Sequence, residues 1–287
     1  MNKLLVIADF AEQDPTAIER AIELAPTYSA SLHIVYFCYE NLRAVSNDIV
    51  SIKNKVIETL KLNATAQLSK IDFKGVNYDV EVVWEKRIPA WVEDYSKKSN
   101  PSLVIKTGHR SETLFYTPTD WHLLRECPSP LLIVSEQKWR KARNVLAAID
   151  LGATKETKQA LNKKILAEAK SLAAHSNSQV HVCYTIPLSP LLRDLGLLYK
   201  DELENNAMRE YRSEITRLAQ QFDIPAENFH INAGHPGKVI LSTAAQVKSG
   251  TVVIGVIGRT GITGRLIGNT SEQILELLKS DVLALKP

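Results

Sequence analysis

Four short apolar runs in the first half of the chain return in the same order in the second half, and this duplication limits the fold more than any other feature. Leu4-Leu5-Val6-Ile7-Ala8-Asp9 returns as Val145-Leu146-Ala147-Ala148-Ile149-Asp150, each run closed by an aspartate. Ser31-Leu32-His33-Ile34-Val35-Tyr36 returns as Gln179-Val180-His181-Val182-Cys183-Tyr184. Leu103-Val104-Ile105-Lys106 matches Val252-Val253-Ile254-Gly255, and Pro130-Leu131-Leu132-Ile133-Val134 matches Asp281-Val282-Leu283-Ala284-Leu285. Four matches in the same order mark one structural unit present twice.

The runs lack polar alternation, as in strands covered on both faces, and stretches of helical period separate them, such as Ile49 to Leu68 and Lys200 to Phe222. Helical crossovers between such strands are right-handed and make the sheet parallel. Each half is therefore expected to be a five-stranded parallel α/β layer, so the fold is Rossmann-like, twice. The charged stretch Glu136-Gln137-Lys138-Trp139-Arg140-Lys141 is the seam. The expected domains are 1–140 and 141–287. The last strand of each half is an apolar edge. Pairing of the two edges would cover both, as an intramolecular pseudo-dimer; short edges shielded by helices are the alternative.

With 287 residues, 45% hydrophobic and 23% charged, the chain can bury two ordinary cores. A net charge of +3, with Lys and Arg interleaved among Asp and Glu, offers no basic stripe for nucleic acid. No apolar run approaches the ~20 residues that span a bilayer, and the first run meets Asp9 too early for a signal-peptide core. A cytoplasmic protein without membrane insertion is expected. Cys38, Cys127 and Cys183 form no C-x-x-C and read as small buried hydrophobes.

The second half carries a glycine ladder. Gly255, Gly258 and Gly268 stand as G-x2-G-x9-G, after the run Thr251-Val252-Val253-Ile254 and before Asn269-Thr270-Ser271-Glu272. A strand ending in glycine, a glycine-bearing loop and a new helix N-terminus present bare backbone N–H groups and a positive dipole end, which suits a phosphate. Arg259 and Arg265 in the loop favour an anion, and Glu272 opposes one. Asn269 with Glu272 also reads as a capping box, so Asn269 has two readings, helix cap and ligand contact.

An aspartate ending the first strand, this ladder after the fourth, and two such units in one chain resemble a tandem universal stress protein. Thr117 to Arg125, Cys127-Pro128-Ser129-Pro130, Gly258-Arg259-Thr260-Gly261 and Gly268-Asn269-Thr270 are similar to the E-type members of bacteria. The resemblance implies an adenine-nucleotide site, ATP or ADP with Mg2+ as its companion, in the unit that keeps the motif. By position, Asp150 would contact the adenine or ribose end, Gly255 and Gly258 would admit the phosphates, and Gly268, Asn269 and Thr270 would hold the terminal ones. Arg259 completes the expected set. Family members that bind nucleotide have Ser or Thr where this chain has Asn269, whose amide can still donate. The physics of open parallel sheets agrees, since ligands sit beyond the strand C-termini where the strand order reverses.

The first half has Lys106, His109 and Thr117-Pro118 where the second has Gly255, Gly258 and Gly268-Asn269. Side chains then fill the phosphate space, and Pro118 removes a backbone donor. This half reads as a degenerate unit with a structural role, or with a separate anion site formed by Asp9, Lys106, His109 and Arg110. Gly234-His235-Pro236-Gly237-Lys238 lacks P-loop spacing, the histidines show no zinc spacing, and no G-x-S-x-G elbow appears. No catalytic set can be assembled. The expected function is a stress-response sensor or protective protein that binds an adenine nucleotide or a related phosphate-bearing ligand. The alternatives are a slow nucleotide-dependent hydrolase or transferase, and a binder of an amphiphile with a phosphate head. The amphiphile alternative rests on the apolar stretch Ile186 to Leu198, otherwise read as a short packed helix. Protein partners are not specified by the sequence, and two tandem chains can pair further.

Overall fold

The structure, a computed structural model, describes residues 2–10, 15–42, 48–108, 119–135, 144–188, 191, 195–196, 199–257 and 280–287. The chain divides into two compact units, Met1–Lys138 and Trp139–Pro287. In the first, β1 (Asn2–Ala8), β2 (Ala30–Cys38), β3 (Tyr78–Trp84), β4 (Leu103–Thr107) and β5 (Leu131–Val134) form a parallel sheet in the order β3-β2-β1-β4-β5. In the second, β6 (Asn144–Ala148), β7 (Val180–Pro187), β8 (Phe229–Gly234), β9 (Ser249–Gly255) and β10 (Asp281–Leu285) repeat this order as β8-β7-β6-β9-β10, again parallel. The chain moves outward from its first strand, then returns to pair the fourth strand on the first strand's other side. A crevice opens where those connections diverge.

The central strands are apolar at successive positions because both faces are covered. Leu4, Leu5 and Val6 of β1, Leu103, Val104 and Ile105 of β4, and Val252 and Val253 of β9 have no exposed surface. The covering helices of the first unit are α1 (Thr16–Tyr28), α2 (Ile49–Leu68), α3 (Ile88–Ser99) and α4 (Thr119–Glu126). Helix α1 buries Ala17, Ala21, Leu24 and Ala25, the 3.6-residue stripe of an amphipathic helix. In the second unit α5 (Glu156–Ser176) buries Leu161, Ile165, Leu166, Ala169, Leu172 and Ala173. It contacts both β6 and β9.

The stretch Lys200 to Phe222, which reads as one helix, is broken at Tyr211 into α6 (Lys200–Glu210) and α7 (Arg212–Phe222). Tyr211 has φ −91° and ψ 7°, and its ring meets Tyr184 of β7 edge-on, with centroids 5.3 Å apart. That side-chain anchor holds the chain at the break. The helix α8 (Pro236–Gln246) starts with proline at its first position, where the missing N–H has no helical partner to lose. Most of the packed helix expected between Pro190 and Leu198 lies outside the described residues; Leu195 N–H donates to Leu191 O, and Leu191 and Leu195 are 67% and 62% exposed. No helix among the described residues is long and apolar enough to cross a membrane. Cys127 and Cys183 are buried and Cys38 is partly exposed, and none of the three is in a disulfide.

Two histidines on neighbouring strands give the second unit a pH dependence. His181 Nδ1 lies 3.0 Å from His230 Nε2, and their rings stack at 5.2 Å. Burial lowers both from the ordinary histidine value of 6.5. As pH falls below that value the unfolded chain takes up these protons before the folded chain does, so stability present at neutral pH is lost on acidification. The melting temperature is expected to drop more in the wild type than in His230→Gln between about pH 7.5 and about pH 5.5. Parallel drops in the two proteins would remove the pair from the account.

Candidate functional site

The residue at the strand switch of the second unit is Asp150, two positions beyond the end of β6. Its backbone is held twice by one side chain. Asp150 N–H donates to Asn162 Oδ1 at 3.1 Å, and Asn162 Nδ2 donates to Asp150 O at 2.7 Å. Ile149 N–H donates to Cys183 O at 3.0 Å, which extends the sheet ladder almost to the aspartate. The loop then turns into α5, and Ala153 N–H donates to Asp150 O at 3.1 Å. These bonds fix where the Asp150 carboxylate leaves the sheet, while the side chain itself stays 45% exposed.

Asp150 lines a cavity of about 390 Å³ at the C-terminal ends of β6, β7 and β9. Its walls include Ala148, Ile149, Lys158, Tyr184, Pro236, Ile254 and Gly255. This volume falls in the range of small-molecule sites. A second cavity of about 420 Å³ shares Asp150 and Asn162 and is bordered by Lys163, Glu214 and Arg217. Arg217 grips Glu214 with a two-pronged hydrogen bond, Nε to Oε2 at 2.8 Å and Nη2 to Oε1 at 2.6 Å. The guanidinium holds that carboxyl below the usual carboxylate range.

At the Asp150 end of the first cavity two phenols meet over Gly152. A β-carbon built on Gly152 would lie 3.1 Å from the Tyr184 hydroxyl, 3.2 Å from the Tyr211 hydroxyl and 3.6 Å from Asp150 Oδ1. Burial, followed by the hydrogen bond to Tyr211, pushes Tyr184 far above the ordinary phenol range. Tyr184 is therefore a neutral hydroxyl across the working pH range and cannot serve as a phenolate base.

Asp150 and Gly255 are thus brought to one cavity. Gly258, Arg259, Gly268, Asn269 and Thr270, together with Arg265 and Glu272, lie outside the described residues. Gly255 has a packing reason to be bare. A β-carbon there would stand 2.6 Å from Leu161 Cδ2 and 3.2 Å from Ile165 Cδ1, so the glycine admits α5 against β9. The equivalent place in the first unit is filled. Lys106 is 8% exposed, with Nζ 2.9 Å from Asp120 Oδ1 on α4 and donating to Thr107 O at 2.7 Å. Its charge faces a buried carboxylate of the fold, which counts against the separate anion site read from Asp9, Lys106, His109 and Arg110; the last two lie outside the described residues. Among the described residues no three His, Cys, Asp or Glu side chains group as metal ligands.

Sequence reasoning missed Asn162, Lys158, Gly152, Tyr184 and Tyr211. Asn162 had a signal, because it precedes Ile165, Leu166 and Ala169 by three, four and seven residues and so stands within the buried stripe of α5. The tyrosine pair had none, since it depends on the break at Tyr211.

Gly255→Ala is expected to destabilise the second unit by about 1–3 kcal/mol through overpacking. Leu161→Ala in the same chain is expected to relieve part of that loss. Urea unfolding of both single variants and the double variant measures the coupling, and strictly additive losses would contradict the clash.

With this geometry in view, the relatives of the chain are informative. The Universal stress protein family model matches residues 1–135 and again 141–286. Universal stress protein E of Escherichia coli (strain K12) is 32% identical over 297 residues, covering 100% of this chain and 94% of the relative. The protein of the same name from Salmonella typhi has the same identity and coverage. Among solved structures, a universal stress protein from Archaeoglobus fulgidus DSM 4304 superposes with a TM-score of 0.67 at 16% identity, over 99% of this chain and 98% of that one. The likeness at that identity is one of fold. The chain belongs to the universal stress protein family, as a tandem E-type member with two copies of the domain.

Proposed function

We propose that the second unit binds an adenine nucleotide, ATP or ADP, and that the protein acts in the stress response by changing state with occupancy of that site. The observation that carries this reading is Asp150, fixed by the Asn162 clamp at the wall of a cavity that lies at the strand switch. A carboxylate there accepts hydrogen bonds from ribose hydroxyls or base N–H groups, and a 390 Å³ space with apolar walls suits a nucleoside. The glycine loop from Gly258 to Thr270 supplies the phosphate end in this reading, and Mg2+ would travel with the nucleotide. The first unit does not bind nucleotide in the same manner in this reading, because it carries Lys106, paired with Asp120, where the second has Gly255, although a cavity of about 730 Å³ also opens beside Asp9.

In this reading the site turns nucleotide over slowly, since phosphoryl chemistry needs a positioned acid or base besides phosphate binding and the sequence offers no motif that supplies one. One observation keeps an amphiphilic ligand in view: Leu191 and Leu195 are exposed on the segment that follows Pro187, itself a residue of the cavity wall.

The protein is to be purified without added nucleotide and denatured, and the released small molecules identified by mass spectrometry, alongside Gly268→Ala and Asp150→Ala. Stoichiometric ATP or ADP in the wild type, reduced at least about tenfold in either variant, is the expected result. A lipid-like molecule in its place, or a wild-type protein that neither retains nor rebinds nucleotide, would overturn the proposal.

A further inference from the structure

The aspartate at the cavity already has a cation of its own. Lys158 Nζ stands 3.1 Å from Asp150 Oδ2, with the two side chains 43% and 45% exposed. Among the described residues that line this cavity, Asp150 is the only acid and Lys158 the only base. Lys158 lies in the first turn of α5, where the helix dipole disfavours a positive charge. The contact with Asp150 offsets that disadvantage. The two partners differ in freedom. Asp150 is fixed through its backbone by Asn162, whereas Lys158 carries a compact ammonium on a flexible four-carbon stem. A half-exposed pair of this kind is weak and exchanges readily.

We propose that Lys158 is a specificity residue that selects phosphorylated over unphosphorylated nucleosides by exchanging Asp150 for the ligand's phosphate. The proposal rests on the nucleotide reading of this cavity. Without ligand the two charges neutralise each other. A nucleoside whose hydroxyl or N–H donors take the Asp150 carboxylate displaces the ammonium and gives it no new anion. A nucleotide makes the same contact and supplies phosphate oxygens, so the displaced ammonium gains a charge-assisted hydrogen bond in return. Asp150 would then read the nucleoside end and Lys158 the phosphate end, with the ion pair as the closed form of the site.

The test is calorimetric titration of the full chain with ADP and with adenosine at one fixed ionic strength, for wild type, Lys158→Gln and Lys158→Arg. Melting temperatures are recorded beside them to show that the half-exposed substitutions leave the fold intact. The affinity ratio of ADP to adenosine is expected to fall about tenfold in Lys158→Gln. ADP loses its cation, while adenosine no longer has to break an ion pair and binds as well or better. Lys158→Arg is expected to restore most of the ratio. A ratio unchanged in Lys158→Gln, or equal weakening of both ligands, overturns the role of Lys158 and leaves the nucleotide site standing. A wild-type protein that binds neither ligand overturns the nucleotide reading, and the exchange falls with it.

Discussion

The architecture depends on strands that are buried on both faces. Leu4, Leu5, Val6 and Leu146 have no exposed surface, so helices must cover each sheet on both sides, and each connection must cross from one parallel strand to the next through a helix. Once the fourth strand returns to pair beside the first, the helices on either side of that junction must part. The crevice is thus a by-product of covering the sheet, and evolution needs only to choose which residues stand at its rim. Asp150 and Gly255 stand at that rim in the second unit because β6 and β9 end there.

Two copies of one scaffold have answered the same problem in opposite ways. In the second unit the fourth strand ends in glycine, α5 presses against it through Leu161, and a cavity remains beyond. In the first unit the matching position is Lys106, whose ammonium reaches back to Asp120 and to a backbone carbonyl. The lysine and the buried carboxylate it faces have become part of the fold. The first unit also builds an aromatic and charged face. His33 bridges Asp79 and Glu81, and its ring stacks on Tyr95, which in turn stacks on Trp91.

Much of this was legible in the sequence, for physical reasons. Unbroken apolar runs such as Leu103 to Ile105 identify doubly covered strands, and the repeat returns four of the five strands of each unit in order, all but β3 and β8. Helix α2 spans Ile49–Leu68, the stretch read from periodicity. The aspartate that closes the first strand of the second half could be placed at the cavity because the strand order reverses beside it. What stayed hidden depends on contacts distant in sequence. The break at Tyr211 follows from an edge-on meeting with Tyr184, and local periodicity runs straight through it. The Lys106–Asp120 pair joins a strand to a helix that begins twelve residues after the strand ends. Gly255 looked like a phosphate contact because its sequence neighbours are a motif; only packing shows that Leu161 also requires it. Asn162 was readable, as an amide within an apolar stripe, but its partner was not.

The buried pair in the first unit has an evolutionary corollary. Substituting Lys106 alone leaves the Asp120 carboxylate in a low-dielectric interior without its cation, and substituting Asp120 alone leaves an ammonium there; either loss costs about 3–5 kcal/mol, a large share of a domain's stability. Both changes must therefore arrive nearly together for the fourth strand to regain a bare end. Such a barrier acts as a ratchet. A duplicated unit that has set a matched pair at the end of its fourth strand cannot drift back through single neutral steps, so the difference between the two halves, once made, tends to be permanent.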